Sequence, residues 1–150
     1  MKKITLWLST FLISLASHAS DVAGTVKSVK GQAYIERGAA RVDVAVGSSL
    51  HAQDKLVSGP ASSVGITLRD STMLTAGPNS TIELKKYAFD RGTNTGHMDT
   101  LIKQGTLAIV SGQMAKHNPE QVVFRTSTVT LGVRGTEFII DVDARTNASK

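Results

Sequence analysis

The stretch Leu56-Val57-Ser58-Gly59-Pro60-Ala61-Ser62-Ser63-Val64-Gly65-Ile66 aligns without a gap on Leu74-Thr75-Ala76-Gly77-Pro78-Asn79-Ser80-Thr81-Ile82-Glu83-Leu84, 18 residues downstream. Leu56/Leu74, Gly59/Gly77, Pro60/Pro78 and Ser62/Ser80 are identical, and Ser63/Thr81, Val64/Ile82 and Ile66/Leu84 are conservative pairs. In each copy a Gly-Pro turn interrupts alternating apolar residues, which spells strand, turn, strand. One such unit cannot bury its apolar face alone. The copies therefore cover each other, either stacked in a short β-solenoid-like roll or as two similar hairpins of a β-sandwich. In both arrangements Leu56, Val64 and Ile66 bury against Leu74, Ile82 and Leu84.

The same reading extends outward from the repeat. Residues 24–29, 42–46, 64–68 and 129–133 run apolar at every second or third position and are rich in β-branched residues, the pattern of half-buried strands. Turn formers separate them at short intervals: Lys30-Gly31, Arg37-Gly38, Gly59-Pro60, Gly77-Pro78, Gln104-Gly105 and Gly112. Short strands with closely spaced turns predict a single all-β domain of many short strands. No stretch of twelve residues after the leader keeps a 3.6 period. Helix is therefore minor, with residues 115–121 as a loop or one helical turn before Asn118-Pro119 has run its course. Near the C-terminus the alternation changes phase: Val129, Leu131 and Val133 set the apolar face on odd numbers, but Phe138, Ile140 and Val142 set it on even numbers. An isolated Gly at such a point marks a bulge or tight corner, here at Arg134-Gly135.

The N-terminus reads as a leader. Met1-Lys2-Lys3 is basic, residues 4–16 are mostly apolar, and Ser17-His18-Ala19 offers small residues where a signal peptidase reads them. The run is shorter than the roughly 20 apolar residues that span a bilayer. The expectation is a signal peptide over residues 1–19 and a β-domain over 20–150, exported to the periplasm without an integral membrane anchor. Of 17 basic side chains, Lys2 and Lys3 leave with the leader, so 15 face 12 acidic ones and the net charge falls from +5 to +3. There is no Cys, which excludes a disulfide framework, a lipid-anchored Cys and a Cys-ligated metal.

Several blocks then line up with a known family. Phe124-Arg125-Thr126-Ser127-Thr128 and Leu131-Gly132-Val133-Arg134-Gly135-Thr136-Glu137-Phe138 resemble the C-terminal signature of the FecR domain. Val46-Gly47-Ser48-Ser49-Leu50, Asp54-Lys55-Leu56-Val57-Ser58-Gly59 and Leu68-Arg69-Asp70-Ser71 resemble its earlier blocks, in order, so that the likeness covers about residues 24–143. The sequence departs from the family at Ser127, where Pro is usual, at Gln53, where Gly precedes the Asp, and at Ser71-Thr72, where Gly-Ser is usual. The resemblance implies a periplasmic all-β module of the kind found in regulators that sense a ferric-siderophore transporter and control a sigma factor. What it implies for this chain is a non-catalytic binding domain in envelope sensing, with another envelope protein as partner.

Within the signature, Arg134, Gly135, Thr136, Glu137 and Phe138 are the candidate site, as a structural corner or an interaction point. Arg134 and Glu137 have complementary charge three residues apart and could pair across the bend, or Arg134 could receive a partner's carboxylate. Other chemistry has little footing. His51, His97 and His117 are spread over loops with no i, i+4 pair and no companion carboxylate at ligand spacing. Asp90 to Gly96 lacks the Gly and the bidentate Glu of a calcium loop. No Gly-x-Ser-x-Gly elbow or Cys nucleophile is present, so no enzyme and no cofactor are expected. Lys85-Lys86-Tyr87 falls short of a nucleic-acid platform. A cell-wall or polysaccharide binder is the alternative, with Tyr34, Tyr87 and Phe89 as its aromatic candidates. A monomer or weak oligomer is expected.

Overall fold

The computed structural model describes residues 22–143; the expected leader lies outside them. Two sheets share one long crease. The first holds β1 (Val22–Lys30), β4 (Ser49–His51), β6 (Ser63–Leu68), β7 (Met73–Ala76) and β12 (Glu137–Val142). The second holds β2 (Ala33–Arg37), β3 (Ala40–Asp43), β5 (Lys55–Ser58), β8 (Thr81–Asp90), β10 (Val122–Arg125) and β11 (Thr130–Gly132). β9 (Thr95–Val110) belongs to both: residues 95–104 pair with β8, and 105–110 pair with β7 and β12. All pairings are antiparallel except β10 beside β9. The result is a curled antiparallel sheet, a half-barrel, all-β as the alternation predicts. Among the described residues the single α-helix, α1 (Gln113–His117), and a 3-10 turn at Pro119–Gln121 overlap the stretch 115–121 expected as a loop or helical turn, α1 starting two residues earlier.

The Gly-Pro repeats make the crease. Neither copy is a hairpin, and neither is a coil of a solenoid. Gly59-Pro60-Ala61-Ser62 carries the chain from β5 in the second sheet to β6 in the first, and Gly77-Pro78-Asn79-Ser80 carries it from β7 in the first to β8 in the second. Exchanging the two sheets thus relates one copy to the other. Flanking them, Gly31 turns β1 into β2, and Gly105 bends β9 without ending it. Both glycines have positive φ, +74° and +84°, and a Cβ on either would collide with the serine of the neighbouring corner, Ser62 or Ser80. Gln104-Gly105 is therefore a bend within a 16-residue strand, not the expected turn. Sequence cannot separate the two, because a Gly at positive φ serves both.

Inside the fold the alternation works as read. Leu56, Val64, Ile66, Leu74, Ile82 and Leu84 are all buried, and Leu56 lies opposite Ile82, as Ile66 does opposite Leu74. Truncating such a leucine costs about 2–5 kcal/mol. Two segments depart from the expectation. β3 is exposed throughout, and beyond it Val44 is buried while Val46 is 67% exposed. Val129 and Leu131, expected on the core face, are 49% and 37% exposed; only Val133 of that trio is buried. Both departures occur beside a sheet edge, where a strand has a neighbour on one side only and the second face finds no cover.

Candidate interaction surface

The last fifth of the described chain closes the half-barrel from both sides. β10 buries Val122 and Phe124 and runs parallel to the first half of β9. Thr126 then reverses the chain: its Oγ1 accepts the amides of Thr128 (3.3 Å) and Val129 (3.1 Å), and its own amide donates to the Val129 carbonyl (2.8 Å). β11 returns beside β10 and, among the described residues, pairs with no other strand. Residues 133–136 cross to the other sheet, where β12 takes its place against the second half of β9. The phase change is thereby explained. It is a passage between sheets, in which no single strand has to carry a bulge.

Each candidate residue has a definite place in this passage. Arg134, Gly135, Thr136 and Glu137 are exposed. Arg134 and Glu137 form no ion pair, and a Cβ on Gly135 would meet nothing within 4 Å. Gly135 does not occupy the left-handed region either. The Thr136 carbonyl accepts the Ser111 amide at 2.7 Å, which registers β12 on β9. Phe138 is half-buried, and its ring meets that of Phe124 edge to face at 5.5 Å. That contact joins β12 of one sheet to β10 of the other.

Between the β10–β11 turn and β12 runs an open groove. Val129 and Leu131 line one wall, Ile139 and Asp141 the other. Ile139 is 68% exposed, so three of the seven large apolar side chains that stand out from the described surface share this groove. Apolar groups gathered in this way make the groove a candidate contact surface, which a single exposed side chain is not.

Two buried carboxylates escaped the sequence reading. Asp54 is 1% exposed and accepts Arg37 Nε at 2.8 Å, Arg37 Nη2 at 2.7 Å and the His51 amide at 2.8 Å. Hydrogen bonding to Asp54 raises the Arg37 pKa above its usual value against the opposing effect of burial. Asp70, also 1% exposed, accepts Thr72 Oγ1 at 2.7 Å and the Tyr87 hydroxyl at 3.3 Å, and binds the Met114 amide at 3.4 Å. It thus pins α1 to the β6–β7 turn. Burial, and then the Asp70 charge, push the Tyr87 phenol up. Both aspartates lie in blocks that resemble the family, Asp54-Lys55-Leu56 and Leu68-Arg69-Asp70. Those blocks were the available signal, and the charge alone argued for the surface.

The other candidate residues take part in local structure. Asp90 Oδ1 accepts the Gly92 amide at 2.7 Å in the β8–β9 turn, as a surface turn would. Among the described residues no three His, Asp or Glu side chains gather as a metal site. The aromatic candidates for a glycan are engaged: Arg41 lies 3.5 Å from the centroid of Tyr34, Tyr87 is tied to Asp70, and Phe89 packs on the core. No described helix is long and apolar enough to cross a membrane. Compared with known proteins, residues 54–150 match the model of the family described as FecR protein. No curated protein and no solved structure matches the chain.

Proposed function

Because the chain belongs to the FecR protein family, an envelope-signalling family, we propose that it is a non-catalytic recognition module that binds another envelope protein in the periplasm. The observation that carries this reading is the groove between β11 and β12, where Val129, Leu131 and Ile139 stand exposed together. Recognition at such a surface draws on apolar burial at about 25 cal/mol per Å² and needs no nucleophile or cofactor. The signature residues Arg134 and Glu137 stand unpaired with one another in the adjoining passage, where a partner's charges can reach them.

The test is capture from envelope extract by the tagged protein, with covalent crosslinking. A triple variant, Val129→Ser, Leu131→Ser and Ile139→Ser, is expected to lose the captured protein, whereas Val46→Ser, at an exposed valine elsewhere, retains it. Equal capture by both variants would remove the groove from the proposal, and hydrolytic turnover by the pure protein would end the non-catalytic reading.

A further inference from the structure

β12 is an edge strand whose free side faces the groove. The Ser111 amide donates to the Thr136 carbonyl, and the register continues Phe138 opposite Ile109 and Ile140 opposite Leu107. In an antiparallel ladder hydrogen-bonded pairs alternate with non-bonded ones, so the even-numbered residues of β12 direct their N–H and C=O groups at β9. Glu137, Ile139 and Asp141 direct theirs away from it, and among the described residues β12 has no other neighbour. Their side chains also share the outer face, since residues two apart in a strand point the same way. The free edge thus presents a row of main-chain donors and acceptors beneath an acidic, an apolar and an acidic side chain. Asp141 and Asp143, the charged residues lining the groove, are both acidic.

Resting on the recognition reading above, we propose that β12 is the docking strand, and that it takes an extended partner segment as an added antiparallel strand. The charge pattern selects the occupant. Cross-strand neighbours interact directly, so a segment with basic, apolar and basic residues at alternate positions complements Glu137, Ile139 and Asp141. A second copy of this chain is disfavoured. Two-fold pairing of β12 with itself about Ile139 sets Glu137 opposite Asp141, and like charges opposite each other oppose pairing. An incoming strand would also cover Ile139 and meet Val129 and Leu131 across the groove.

The probe is a fluorescent peptide with the core Lys-Thr-Val-Thr-Lys, compared by anisotropy with one having Glu in place of Lys. The full chain is expected to bind the basic peptide at least tenfold more tightly. Ile139→Pro removes an N–H that β9 does not use, so the sheet tolerates it, and binding should fall at least tenfold. The double variant Glu137→Lys, Asp141→Lys should reverse the preference toward the acidic peptide, which tests the proposal even if the proline variant fails to fold. Equal binding of both peptides, or an unchanged preference in the double variant, overturns the proposal. So does a wild-type dimer in sedimentation that Ile139→Pro converts to monomer, since that assigns the edge to a second copy. If the crosslinked envelope protein is still captured by Ile139→Pro, the recognition reading stands and the strand-addition proposal falls.

Discussion

Ser62 and Ser80 hold the same place at two corners of the crease. Ser62 Oγ accepts the Gln32 amide at 3.0 Å and donates to the Pro60 carbonyl at 3.2 Å; Ser80 Oγ accepts the Thr106 amide at 3.0 Å and reaches the Pro78 carbonyl at 3.3 Å. Each hydroxyl thus serves a main-chain donor far along the chain, 30 residues away at Gln32 and 26 at Thr106. Between them Ser58 Oγ donates to the Gly77 carbonyl at 2.6 Å and accepts the Ser80 amide at 2.9 Å. The serines supply hydrogen bonds where the bending strands cannot keep a regular ladder.

Replacing either corner serine by alanine leaves a main-chain amide, that of Gln32 or Thr106, without its partner. Ser62→Ala and Ser80→Ala are each expected to lose about 1–3 kcal/mol in urea denaturation. The two losses should add within about half a kilocalorie, because the hydroxyls serve different strands. A loss near zero at both sites would make the identity of the two copies irrelevant to the crease.

Gly105 and Gly135 separate a required glycine from a permissive one. At Gly105 an alanine must adopt positive φ, at about 1–2 kcal/mol, and must also displace Ser80. Gly105→Ala should therefore cost about 2 kcal/mol or more, and Gly135→Ala no more than about half a kilocalorie, the scale of an ordinary surface change. Arg134→Ala and Glu137→Ala should show no coupling beyond the error of a double-mutant cycle, for they do not touch. Thermal melts of these four variants and of the Arg134→Ala, Glu137→Ala double variant check both statements.

Gln53 and Ser71, the two departures noted from a usual glycine of the family it resembles, have φ of 72° and 68°. Both are held in the left-handed region that only glycine enters without penalty. Gln53→Gly and Ser71→Gly should each raise stability by about half to one kilocalorie, the relief of strain being partly offset by the entropy glycine adds to the unfolded chain. A lower melting temperature in either variant would contradict this.

Arg37→Ala takes from the Asp54 carboxylate, 1% exposed, its guanidinium partner and two hydrogen bonds, leaving the one from the His51 amide. The expected loss is about 2–3 kcal/mol, below the full range for a buried pair because Arg37 is itself 39% exposed. The double variant Arg37→Ala, Asp54→Asn should recover part of it, since the uncompensated charge is gone. Chemical denaturation at neutral pH distinguishes the two.

Alternation of Val64, Ile66 and Leu68, together with the closely spaced turn formers, is enough to determine an all-β chain with little helix, because side-chain period is a property of residues two apart. The Gly59-Pro60 and Gly77-Pro78 copies and the blocks around Asp54, Asp70 and Arg134 were legible in the same way, and with them the family. Which strand lies beside which was not. Whether a Gly-Pro segment turns a hairpin or crosses between sheets depends on Gln32 meeting Ser62 and on Thr106 meeting Ser80, contacts 30 and 26 residues apart that no local pattern encodes. The same distance dependence exposes Val129 and Leu131. Their alternation is that of a buried strand, yet β11 ends a sheet, and burial requires a neighbour that only the assembled fold supplies or withholds.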